Sequence, residues 1–199
     1  LALVTTHGMI KKVHSDVFDN VRRSGIVAIT LKKGDALRGV ALVSPKDEVL
    51  LVTARGQAIR FRESDVRAMG RAASGVKAMR LKRDDRIIGV NVIFTSRGDQ
   101  KAELLVVMDR GFGKKTPLKE YKRQKRGGSG IKTAQLTSKN GAIVSTHLIG
   151  EENELIAISQ KGQVIRTALK GVPTLGRATQ GVRIMRLGVG DRIASTTTL

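Results

Sequence analysis

Four copies of one pattern run the length of the 199-residue chain, and a period of roughly 50 residues restricts it to architectures built from like units. Gly8, Gly56, Gly111 and Gly162 each follow a β-branched residue by four positions, at Val4, Val52, Val107 and Ile158. Each also precedes a cation by four, at Lys12, Arg60, Lys115 and Arg166. A second glycine follows in Gly25-Ile26, Gly75-Val76, Gly130-Ile131 and Gly181-Val182. Six residues beyond it stand Leu31, Leu81, Leu136 and Leu187, and ten beyond it Asp35, Asp85, Asn140 and Asp191. The repeats are taken as 1–47, 48–100, 101–152 and 153–199.

This period suits propeller blades better than helical solenoids, because each unit holds short β-rich runs separated by turn residues. In the second unit Glu48 to Thr53, Gln57 to Phe61, Val76 to Leu81 and Arg86 to Ile93 read as strands, giving about four per blade. The first glycines and the Asp/Asn set read as turn residues, and the four leucines as core. Only Pro45, Pro117 and Pro173 occur and no linker separates the units, so one all-β array of four-stranded antiparallel blades is predicted.

The net charge of +20 is shared among the units as +4, +5, +6 and +5, which a basic tail would not produce. Small domains stay soluble with a net charge of about 2–8, so +20 signals a polyanionic partner. Two cation registers recur. One is Lys12, Arg60, Lys115 and Arg166; the other lies before the second glycine, at Arg22 and Arg23, Arg71, Arg126 and Arg177. With Tyr121, four Phe and no Trp, the chain has few stacking platforms for single strands, so the expected partner is double-stranded DNA held by its phosphates.

The absence of cysteine removes disulfides, thiolate metal sites and thiol nucleophiles, and points to a reducing cytoplasm. His7, His14 and His147 have no metal-ligand spacing; Gly111–Thr116 and Gly128–Thr133 fail the phosphate-loop pattern and read as turn plus basic strand. Tyr121 lacks a His or acidic cluster nearby and takes a packing or rim role. No catalytic site, metal, cofactor or membrane span is expected. The opening at Leu1, mid-strand and without Met, suggests a piece of a longer protein.

The third unit carries Gln124-Lys125-Arg126-Gly127-Gly128-Ser129-Gly130, which resembles the Gln-Arg-Arg-Gly-Gly-Lys-Gly box of the C-terminal domain of DNA gyrase A subunits. The stretches 63–70, 111–117 and 176–183 are similar to other repeat signatures of that family, and the resemblance covers essentially the whole chain. It implies a β-pinwheel whose blades exchange a strand with a neighbour and whose outer edge bends and wraps duplex DNA, supporting negative supercoiling in the bacterial cytoplasm, at the nucleoid. It also implies that the chain is the last four blades, that Gln124–Gly130 is a secondary box, and that the partners are the gyrase B subunit together with the N-terminal part of the A subunit. Strand cleavage and ATP hydrolysis would reside there. Two other readings are the equivalent domain of topoisomerase IV and a propeller-like scaffold for acidic protein partners.

Overall fold

The computed structural model describes residues 1–199, except the side chain of Gln100. The first unit contributes β1 (Ala2–Thr5), β2 (Met9–Lys12) and β3 (Leu37–Ala41). The second contributes β4 (Glu48–Thr53), β5 (Gln57–Arg62), β6 (Val76–Lys77) and β7 (Ile87–Ile93). The third follows with β8 (Glu103–Met108), β9 (Phe112–Pro117), β10 (Ile131–Lys132) and β11 (Ile143–Ile149), and the fourth with β12 (Glu154–Ser159), β13 (Val164–Ala168), β14 (Val182–Arg183) and β15 (Ile193–Thr198). All pairings between these strands are antiparallel, in four sheets ordered β3-β1-β2-β6, β7-β4-β5-β10, β11-β8-β9-β14 and β15-β12-β13.

The short strand of each unit therefore belongs to the preceding sheet. Val76 pairs with Ile10, Ile131 with Ala58, and Val182 with Gly113, at one register each time. These strands are shorter than the run Val76 to Leu81 predicts. After Lys77 the amides of Ala78 and Met79 both donate to Gly8 O, so the chain leaves the sheet to wrap the hairpin. The fourth sheet has three strands among the described residues, with no short strand paired to β13. The counterpart of these short strands in the first unit, Gly25 to Leu31, joins no sheet.

Period-two patterning explains how the blades stack. Leu50 and Val52 of β4 join Leu104 and Val106 of β8 in one core, while Val49 and Leu51 turn to Val4 and Ile10 in another. Leu105 and Val107 pack oppositely, against Leu155 and Ala157. The central strands β4 and β8 are thus buried on both faces, worth about 1.5–3 kcal/mol per large aliphatic side chain. Strands β3, β7, β11 and β15 pack successively against one another and form the hub. There Asn91 donates to Thr146 Oγ1 at 3.0 Å, and Thr196 Oγ1 lies 2.5 Å from Ser145 Oγ and 2.7 Å from His147 Nε2. The exchanged strands occupy the opposite, outer edge.

The glycines do more than turn the chain. Gly8, Gly56 and Gly111 have positive φ, and a Cβ on each would meet the next unit: Met79 O and Leu81, Ala134 O and Leu136, Met185 O and Leu187. Those three leucines are partly buried caps on the hairpins. Leu31, expected in the core, is 40% exposed, with no hairpin among the described residues beneath it. The Asp set staples turns: Asp35, Asp85 and Asp191 each accept the amide preceding a hairpin glycine, from His7, Arg55 and Lys161. Asn140 departs from this, bonding Gln135 O and Gln180 O, while Asp109 caps Ala142 N instead.

Candidate nucleic-acid interface

The sheet order brings three cations to one register of the outer edge. In β6, β10 and β14 both residues pair with the acceptor strand, and strand alternation puts the first, Val76, Ile131 or Val182, and the second on opposite faces of the sheet. That second residue is Lys77, Lys132 or Arg183, all exposed and with no carboxylate within ion-pair distance among the described residues. The Arg183 guanidinium lies 5.5 Å from the Phe112 ring centroid. Sequence reasoning missed this row, although the two-residue offset from the second glycine was there to be counted.

The register Lys12, Arg60, Lys115 and Arg166 has a different setting: each of its cations faces a carboxylate. Lys12 pairs with Glu63, Arg60 with Glu48, Lys115 with Glu103 at 3.1 Å and Arg166 with Glu154. The last three are diagonal cross-strand pairs, from a position eight residues before the hairpin glycine. The Arg60 side chain is only 11% exposed and also donates to Leu118 O and Tyr121 O. Arg166 remains largely exposed. The backbones at Lys12, Arg60 and Lys115 bridge in parallel to Ala68, Arg123 and Thr174 of the next connector, so this register is also a seam between units.

The second register divides. Arg22 and Arg23 are exposed in the turn before Gly25. Arg71, Arg126 and Arg177 each donate from Nη1 to a carbonyl of the previous unit, at Val27, Lys77 and Lys132, two places past its second glycine. A carbonyl supplies a partner without cancelling charge, so these three straps keep their positive field beside the outer strands.

The Gln124–Gly130 loop runs along the outer edge of β5. Gln124 N donates to Arg60 O, Arg126 to Asp65 O as well as Lys77 O, and Gly127 N to Ala78 O, while Gly128 O accepts from Arg80 N. Lys125 and Ser129 are exposed. Gly130 has φ +75°, and a Cβ there would lie 2.4 Å from Ala58 O. The loop therefore gathers Lys125, Arg126, Lys77, Arg80 and Lys132 beside glycine amides, chemistry suited to backbone phosphates.

Buried ionisable groups shape this edge. Lys11 and Lys114 are fully buried and donate to backbone carbonyls of the connectors. Burial pulls the Lys114 ammonium down to about 8. Tyr121 is a packing residue, buried in the core with its hydroxyl 2.5 Å from Thr133 Oγ1, and burial pushes that hydroxyl up to about 12. His147 is lowered by burial at the hub, and no cluster of three metal-ligating side chains occurs among the described residues. No helix among them is long and apolar enough to cross a membrane.

The family described as DNA gyrase C-terminal domain, beta-propeller, matches residues 1–44, 47–94, 102–149 and 153–198. The chain is 46% identical over 195 residues to the DNA gyrase A subunit of Mycolicibacterium smegmatis, covering 97% of this chain and 23% of that protein. Identity to the Mycobacterium tuberculosis counterpart is 42%, with the same coverage. The chain thus spans about a quarter of the length of these relatives. A solved DNA gyrase A C-terminal domain superposes with a TM-score of 0.86 at 25% identity, over 99% of this chain and 64% of that one. A topoisomerase IV C-terminal domain gives 0.91 at 26%, over 100% and 61%.

Proposed function

The chain belongs to the DNA gyrase C-terminal domain family of β-propeller repeats, and from that premise we propose that it binds duplex DNA along the outer edge of its blades, without base specificity. It would act as an accessory region of a gyrase A protein, within a type IIA topoisomerase whose strand cleavage and ATP hydrolysis belong to the remainder of that protein and to its B partner. The observation that carries the reading is the outer-strand row of Lys77, Lys132 and Arg183, flanked by Arg71, Arg126 and Arg177 and by the Gln124–Gly130 loop. Charge repeated at a fixed structural interval along successive blade edges favours a continuous phosphate path over a single docking point. Such a path bends the duplex, and counterion release provides the affinity.

Superposition alone does not separate gyrase from topoisomerase IV, since both domains match at TM-scores above 0.8. Sequence favours gyrase, with 37–46% identity to several gyrase A proteins. Handed wrapping is tested by ligating nicked circular DNA in the presence of the chain and reading the linking-number distribution after deproteinisation. Wrapping predicts a protein-dependent shift of one sign. Salt-sensitive binding with no shift would reduce the function to bending, and no duplex binding would hand the case to a scaffold for acidic proteins.

A further inference from the structure

The position three residues after each hairpin glycine is Lys11, Ile59, Lys114 and Ile165, alternating between an ammonium and an aliphatic group. Lys11, Ile59 and Lys114 are all fully buried beneath the next unit's connector. Lys114 Nζ donates to Gly176 O at 2.6 Å, Arg177 O at 2.5 Å and Thr179 Oγ1 at 3.0 Å. Lys11 Nζ donates to Ala28 O at 2.6 Å and to Arg71 O. Two connectors are thus clamped from beneath by a buried charge that has only neutral acceptors, an arrangement that holds those carbonyls firmly.

The connector over Ile59 is the Gln124–Gly130 loop, and its setting is different. Lys125 and Arg126 occupy the places of Gly176 and Arg177 around a backbone turn at 126–127, yet among the described residues no side chain from the strand below donates to either carbonyl. One buried side-chain nitrogen in each connector, Gln124 Nε2 here and Arg177 Nε in the other, has no partner among the described residues, so the clamp from below is the difference between them. The loop is tied outward, to Asp65, Lys77, Ala78 and Arg80 of the preceding connector, with an apolar side chain below it.

We propose that Ile59 is a positioning residue that leaves the Gln124–Gly130 loop as the compliant contact of the outer edge, while Lys11 and Lys114 fix the equivalent connectors as rigid ones. The inference rests on the DNA-binding reading for its consequence, though the difference in rigidity belongs to the free protein. A loop with three glycines and no ammonium clamped to its carbonyls from below can turn its amides toward a phosphate as the duplex bends over it. A loop whose carbonyls are pinned to an ammonium cannot do so without breaking that clamp.

Amide hydrogen exchange on the full chain, read residue by residue without DNA, tests the rigidity directly. Residues 125–130 should exchange at least tenfold faster than residues 176–180 after correction for intrinsic rates. Lys114→Met should remove the difference by speeding 176–180 at least tenfold, and Lys114→Arg should restore most of the protection. Ile59→Lys should slow 125–130, and if that variant fails to fold the Lys114 pair still decides the matter. Equal rates in the two loops, or unchanged exchange at 176–180 in Lys114→Met, would overturn the proposal. Added duplex should slow exchange at 125–130 in the wild type by a larger factor than at 176–180. Absence of any duplex binding would sink the functional reading while leaving the free-protein comparison to stand or fall alone.

Discussion

Gly25 and Gly130 are a matched pair for testing strand exchange, because they hold the same repeat position and the same φ of +75°. Alanine in the left-handed region costs about 1–2 kcal/mol at either site. At Gly25 the new Cβ meets nothing within 4 Å, so the backbone term is the whole cost. At Gly130 it would lie 2.4 Å from Ala58 O and 2.7 Å from Met79 Cε, forcing β10 away from β5. Displacement of that kind adds about 1–3 kcal/mol of overpacking, and the loosened pairing of Ile131 with Ala58 lies on top of it. Urea and thermal unfolding of G25A and G130A should therefore differ by about 2 kcal/mol or more. At about 2–4 °C per kcal/mol for a domain of this size, G130A should melt at least about 4 °C below G25A. Equal losses would mean that β10 does not pack on β5 as described.

Other consequences follow from single side chains. Lys114 titrates at about 8 in the folded state against an ordinary value of 10.5, so the unfolded chain binds more protons between those values and stability rises with pH. Denaturant melts from about pH 7.5 to 10.5 should show the wild type gaining about 1–3 kcal/mol relative to Lys114→Met, and a flat difference would contradict a desolvated ammonium. Arg60→Ala removes a group that bonds Glu48, Leu118 O and Tyr121 O, so it should lower stability by about 1–3 kcal/mol while leaving the salt dependence of duplex binding nearly unchanged. Lys132→Ala should do the reverse, keeping the melting temperature and lowering the slope of log affinity against log salt by about 0.9.

Much of this was legible in the repeat. The hairpin glycines, the β-rich runs and the turn residues follow from local chemistry, and the second unit's four predicted strands overlap β4 to β7. Strand exchange between blades was legible only through the family resemblance, because a two-residue strand such as β6 or β10 carries no periodicity of its own and its pairing spans a whole unit. The same limit hid the burial of Lys11 and Lys114: a lysine three places past a glycine looks like surface until the next connector is laid over it. Glu48, Glu103 and Glu154 recur in register and could have flagged the ion pairs, but cross-strand geometry was needed to show which cations they reach. Leu31 shows the converse, a core residue by pattern that is exposed, with no hairpin among the described residues beneath it.

The central claim is that outer-edge cations hold DNA by its phosphates, and the salt dependence of duplex affinity measures that most directly. Binding to a mixed-sequence duplex should weaken linearly in log salt with a slope of several units. Replacing Lys77, Lys132 and Arg183 together with Ala should reduce that slope by about 2.7 and weaken binding alike on unrelated sequences. A slope unchanged by the triple replacement, or an affinity indifferent to salt, would contradict the account.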